Sequence, residues 1–196
     1  MKKLIIATNN QGKVREIKNI LAGSYDAICS LRDEGIAVDV VEDGVTFAQN
    51  AEKKAVAISR LCPGCDVLAD DSGLCVQGLG WRPGVYSARY SAEGTDQANN
   101  DKLKREIAPL SEEDRRAKYV CAIVMARDGA AFFSCEGECW GKIVSEEQGS
   151  EGFGYDPLFF VEEYGTTFGC IPPDIKNKIS HRAKALAAVK EYVSRA

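Results

Sequence analysis

The chain has 196 residues, 45% of them hydrophobic and 28% charged, the proportions of a globular protein with one substantial core and no disordered majority. Its 25 Lys and Arg against 29 Asp and Glu give a net charge of −4, and with no basic block this excludes a broad nucleic-acid surface. A single histidine, His181, excludes HExxH zinc sites and two-histidine metal triads, so carboxylates must carry any chemistry.

The apolar run Leu4-Ile5-Ile6-Ala7 breaks at Thr8-Asn9-Asn10, short of an export segment or a membrane span, and the expected location is the cytoplasm. The eight cysteines are then expected to be reduced thiols, below the density of about 8–10% that marks a disulfide scaffold. Lys3 to Ala7 predicts a buried strand, with Val14, Ile17 and Ile20 following at helical spacing. The intervening loop, Thr8, Asn9, Asn10, Gln11, Gly12 and Lys13, lacks the first glycine and the Ser/Thr of a Walker motif. Its amides and lysine still favour an anion at a helix start; a polar βα loop of no function accounts for it as well.

Ile36 to Val41 alternates like a strand, and Thr46-x-x-Gln49 has capping-box form before the helical face Phe47, Ala51, Ala55, Ile58. Val67-Leu68-Ala69 predicts a buried strand end running into a turn at Asp70-Asp71-Ser72-Gly73. Successive strand residues face opposite sides, so one aspartate is expected to face a site and the other, Asp70, to pin the turn. Glu42 offers a second carboxylate for magnesium, which prefers oxygen ligands; two solvated turns explain the same residues equally well. Asn99 to Ile107 predicts a helix, and Lys118–Arg127 with Ala130–Trp140 a hairpin around Asp128-Gly129. Gly149 to Gly154 is a glycine-punctuated loop, and Ser180 is placed to cap a last helix carrying Leu186, Val189 and Val193.

Cys62-Pro63-Gly64-Cys65 has CxxC spacing, but it follows a helical run where a thioredoxin-type pair would open one. Pro-Gly at its centre marks a turn, Cys135/Cys139 lies in a predicted strand at a spacing unusual for a zinc knuckle, and no bound zinc is expected. Ser180-His181-Arg182 at a helix start, with Lys176 and Lys178 upstream, gathers donors suited to an anionic or carbonyl-bearing ligand.

Taken together, Thr8-x-Asn10-x-x-Lys13, Glu42-x-Gly44-x-Thr46-Phe47-x-x-Asn50-Ala51, Ala69-Asp70-Asp71-Ser72-Gly73-Leu74, Pro83-Gly84-Val85-Tyr86-Ser87-Ala88-Arg89-Tyr90, Gly152-Phe153-Gly154-Tyr155-Asp156-Pro157 and Lys176-Asn177-x-x-Ser180-His181-Arg182 resemble the Ham1 family of inosine triphosphate pyrophosphatases. The likeness spans nearly the whole chain. It implies one two-lobed α/β domain over 1–196, with an elongated mixed sheet, flanking helices and a central cleft. The implied activity is magnesium-dependent hydrolysis of non-standard purine nucleoside triphosphates (ITP, dITP, XTP) to the monophosphate and pyrophosphate, by a homodimer that engages neither nucleic acid nor membrane. By position, Glu42 and Asp71 resemble the magnesium ligands and Asp71 the proton acceptor. Ser72 and the Thr8–Lys13 loop resemble substrate-binding elements; Phe153, Gly154, Tyr155, Asp156, Lys176, His181 and Arg182 match positions holding the base and phosphate chain, with Phe153 or Tyr155 stacking on the base. Gln49, Gln77 and Trp81 depart from the family pattern. The structurally related Maf type, acting on other modified nucleotides, and a silent nucleotide-binding protein are the alternatives; Ser180-His181-Arg182 disfavours the first, Glu42 with Asp71 the second.

Overall fold

A computed structural model describes residues 2–195. In chain order the elements are β1 (Lys3–Ile6), α1 (Gln11–Ile20), β2 (Ala27–Ser30), α2 (Phe47–Ser59), β3 (Asp66–Val76), α3 (Asp96–Ile107), β4 (Arg116–Arg127), β5 (Ala130–Ile143), β6 (Phe159–Val161), β7 (Thr166–Thr167), α4 (Pro173–Ile179) and α5 (His181–Arg195). The strands form one mixed sheet in the order β2-β1-β3-β4-β5-β6-β7, with β1 parallel to β2 and β3 and β6 antiparallel to β5 and β7. The expected α/β class with flanking helices is what the chain adopts.

Two compact units divide it: residues 1–71, 121–137 and 182–196 in the first, 72–120 and 138–181 in the second. In the first unit the sheet is covered on both faces, which is why its strands read as unbroken apolar runs. Leu4, Ile6 and Leu68 pack with α1 and α5 through Ile17, Leu186 and Val189. The alternate residues Ile5, Ala7, Val67 and Ala69 pack with α2 through Ala51, Ala55 and Ile58. The second unit has its own core, in which Leu74, Val76, Leu103, Tyr119, Phe159 and Phe168 meet.

Local chemistry explains the elements that begin where expected. Thr46 Oγ1 accepts from Gln49 N–H at 3.2 Å, while Gln49 Oε1 accepts from Val45 N–H at 2.8 Å, so α2 is held by a reciprocal cap displaced one residue outward. The β4–β5 turn has both Asp128 (φ 51°) and Gly129 (φ 85°) left-handed, as a two-residue hairpin requires.

Three expectations are corrected. Ile36–Val41 forms no strand: Val38 and Val41 are exposed, and the parallel place beside β1 is filled by Ala27–Ser30. Thr8 to Lys13 is not all loop, because Asn10 Oδ1 accepts from Lys13 N–H at 3.1 Å and starts α1 at Gln11. Most consequentially, Asp70-Asp71-Ser72-Gly73 is no turn; β3 runs straight through it to Val76.

Candidate active site

The alternation that sorts the apolar residues of β3 also sorts its aspartates. Asp70 has the parity of Leu68 and enters the layer beneath α1 and α5. There Arg182 Nε lies 3.0 Å from its Oδ2, Lys13 Nζ pairs with its Oδ1, and the Cys121 thiol donates to Oδ2 at 2.9 Å. Arg182 is 1% exposed and also reaches Glu16 Oε2 through Nη1 at 2.5 Å. Burial by itself would raise the Asp70 carboxyl, but Arg182 and then Lys13 outweigh it and hold the group well below the usual carboxylate range. Asp70 is therefore a locked anion, pinned by side chains of α1, β4 and α5 and not by turn amides.

Asp71 has the parity of Ala69 and faces α2. Asn50 Nδ2 donates to its Oδ2 at 3.0 Å, and Lys54, one helical turn later, sets Nζ 3.8 Å from its Oδ1. The same ammonium lies 3.0 Å from Glu42 Oε2 and 2.9 Å from the Asp70 carbonyl. Two carboxylates thus converge on one cation, Asp71 buried and Glu42 half-buried. Burial pushes the Asp71 carboxyl above its ordinary value, with Glu42 adding to the rise and Lys54 and Lys13 opposing it.

This donor set fits magnesium. The ammonium shows that both carboxylates already face a shared positive charge, and magnesium is commonly held by one or two carboxylates, its other positions going to water and phosphate. Among the described residues no group of three or more His, Cys, Asp or Glu converges to enclose a metal, so Glu42 and Asp71 would leave most of the coordination sphere open.

In the second unit, Asp156 Oδ2 accepts from Phe153 N–H at 2.9 Å and from Lys176 Nζ at 2.6 Å. That ion pair folds the Gly152–Asp156 loop over its own carboxylate, and a Cβ on Gly152 would stand 2.0 Å from Asp156 Oδ2. Gly154 N–H donates to Asp96 at 2.8 Å and its carbonyl accepts from Asn100 at 3.1 Å, so α3 holds the loop as well. Lys176 Nζ sits 4.8 Å over the half-buried Phe153 ring. Tyr155 is 4% exposed and donates to the Ser87 carbonyl at 2.7 Å; it belongs to the core, which leaves Phe153 as the aromatic able to stack on a ligand. His181 is buried with its ring 4.6 Å from Tyr119 and 10° from parallel. Lys178 is exposed and does not join the buried Lys176, contrary to the expected gathering of both lysines. Ser72 is half-buried on β3, and Thr8 Oγ1 accepts from Asn10 N–H at 3.2 Å, shaping the loop before α1.

Lys54, Glu16 and Cys121 escaped the sequence reading. Only Lys54 carried a signal, since it stands four residues after Asn50 on the buried face of α2.

The Ham1 family model matches residues 4–192. The chain belongs to the Ham1 family. A dITP/XTP pyrophosphatase of Clostridium perfringens is 47% identical over 97% of each chain, and one of Geobacter sulfurreducens is 45% identical over 98% of this chain and 97% of that one. Among solved structures, the Ham1 protein of Staphylococcus aureus superposes with a TM-score of 0.85 at 35% identity, covering 98% of both chains. A HAM1 protein from Coxiella burnetii gives 0.88 at 32% identity over the full length of both. The chain therefore has Ham1 relatives along its whole length, and both described units lie inside the match.

Proposed function

We propose that this Ham1 protein hydrolyses non-standard purine nucleoside triphosphates, dITP, XTP and ITP, releasing the monophosphate and pyrophosphate. The observation that carries the reading is the convergence of Glu42 and Asp71 on the one ammonium of Lys54, beside Asn50, in a chain nearly half identical to proteins named dITP/XTP pyrophosphatase. Such phosphoryl transfer needs little covalent help; it needs positioning and charge aimed at the developing oxyanions.

Glu42 and Asp71 would hold magnesium, which when bound neutralises charge on the phosphate chain. Asp71 accepts a proton from the attacking water, a task suited to a carboxyl that burial holds above its ordinary value. Asn50 fixes the Asp71 carboxylate in orientation through Oδ2. Lys13, Asn9, Gln11, Gly12 and the Thr8–Asn10 turn bind the phosphate chain at the start of α1, with Ser72 contributing a hydroxyl. Phe153 stacks on the base, Lys176 and Asp156 set the loop that presents it, and the start of α5, with His181 in it and Arg182 anchoring it through Asp70 and Glu16, donates towards the 6-oxo group. Adenine would place an amino group against those donors, and a site built on a required hydrogen bond discriminates by up to about 10⁴–10⁵. Residues 1–196 act as one domain, in a homodimer in the cytoplasm, without nucleic acid; no helix among the described residues is long and apolar enough to cross a membrane.

A panel of nucleoside triphosphates with magnesium, assayed for pyrophosphate against phosphate, tests the reading. Pyrophosphate from dITP, XTP and ITP well above ATP is the expected result; orthophosphate, or no preference, refutes it. Arg182→Ala should narrow the ratio of kcat/KM for ITP over ATP. The ratio is the right measure because Arg182 also balances Asp70 and Glu16, and a loss of folded enzyme cancels from it.

A further inference from the structure

Where the chain leaves α2 it reads Cys62-Pro63-Gly64-Cys65, and Cys65 N–H donates to the Cys62 carbonyl at 3.1 Å. Pro63 presets the first corner of this turn, and Gly64, at φ 73°, supplies the left-handed second corner, the arrangement of a type II turn. Such a turn keeps its outer Cα atoms within about 7 Å, a range that overlaps the roughly 4.4–6.8 Å spanned by disulfides. Both cysteines are free thiols and half-buried, whereas Pro63 and Gly64 are exposed. The turn is anchored, since Gly64 N–H donates to Asp128 Oδ1 at 2.8 Å. Cys29 of β2 packs against the same apolar layer as the pair.

We propose that Cys62 and Cys65 form a reversible dithiol–disulfide site that exchanges with low-molecular-weight disulfides. One cysteine gives up its proton, and its thiolate attacks a sulfur of the small disulfide; that S–S bond breaks and a small thiolate leaves. The second cysteine, likewise deprotonated, attacks the protein sulfur of the mixed disulfide and expels the other small thiolate. The two small thiolates take up the two protons. The protein pair has lost two electrons and the small disulfide has gained them.

The site follows a helix and does not open one, so no helix N-terminus stabilises a thiolate there, and burial with the neighbouring Cys65 pushes the Cys62 thiol up. Exchange is accordingly slow, suited to a group that equilibrates with its surroundings and not to an oxidoreductase centre. Closure would tie the end of α2, the helix of Asn50 and Lys54, to the start of β3, the strand of Asp71.

The full-length protein, equilibrated in buffers of reduced and oxidised glutathione, acid-quenched and differentially alkylated, is read by mass spectrometry. The expected product is two hydrogens lighter, with Cys62 and Cys65 linked inside one peptide and a closed fraction that follows the glutathione ratio. Cys29→Ser should leave that fraction unchanged. Mixed glutathione adducts that never close, a bond to Cys29, or no loss of thiols at any ratio would each overturn the proposal.

Discussion

Replacing Asp71 by Asn removes a charge that burial already disfavours while keeping the shape of the side chain and a partner for Asn50. Asp71→Asn should therefore leave the urea midpoint unchanged or slightly higher, while turnover of dITP falls by at least about 10²-fold, the lower range for losing a general base. The same substitution one residue earlier acts in the opposite way. Asp70→Asn leaves the buried Arg182 and the half-buried Lys13 without their shared anion, which costs about 3–5 kcal/mol, measurable by urea unfolding; an inactive Asp70→Asn with an unchanged midpoint would move the catalytic role to Asp70. Their pH dependences are opposed too. Asp70 is depressed in the folded state, so its contribution is present above about pH 4, the unfolded value, and is lost as pH falls towards the folded one. Asp71 is raised, so its contribution is present below about pH 4 and is lost as pH climbs through its folded value. Urea midpoints against pH should show a loss below pH 4 that Asp70→Asn reduces, the remainder coming from Asp33, Glu34, Asp43 and Asp101, which their partners also depress, and a decline above it that Asp71→Asn abolishes.

Helix α2 acts as a carrier: its cap fixes where it begins, and its buried face then delivers Asn50 and Lys54 to β3. Thr46→Ala removes the hydroxyl that accepts from Gln49 and should cost about 1 kcal/mol, read by urea denaturation. Lys54→Ala leaves the Glu42 and Asp71 carboxylates facing one another without a cation, at a cost of about 1.5–3 kcal/mol for lost charged hydrogen bonds. Magnesium should restore part of that stability in thermal melts and a chelator remove it; a melting temperature indifferent to magnesium in this variant would argue against the metal site. The caps and the Asp128-Gly129 hairpin were legible in the sequence because their chemistry is local. The continuation of β3 through Asp70-Asp71-Ser72-Gly73 was not. Those residues favour a turn in isolation, and the partners that keep them extended stand at positions 13, 121 and 182, far off along the chain. Strand alternation did foretell that the two aspartates part company, though not that ion pairs would hold the inward one. Phe153 and Tyr155 looked equivalent for a related reason: only the tertiary fold brings the Ser87 carbonyl to the tyrosine hydroxyl and so commits that ring to the core.

At the scale of the whole molecule, β3, β4 and β5 each run from one unit into the other, so neither core can lose its strands without disturbing its neighbour. Unfolding should be a single cooperative transition. Trp81 and Trp140 both belong to the second unit, which makes tryptophan fluorescence a probe of that unit alone, while far-ultraviolet dichroism also follows α1, α2 and α5. Coincident urea curves from the two probes are expected; an earlier fluorescence transition would mean that the second unit opens alone. The chain passes between units after residues 71, 120, 137 and 181. A gene fragment spanning codons 72 to 181 would thus import the 121–137 stretch of the other unit, and no contiguous fragment encodes either half. Recombination that swaps one half for a relative's would have to cut within three strands and at the start of α5 at once, so the reading frame offers no seam between the halves.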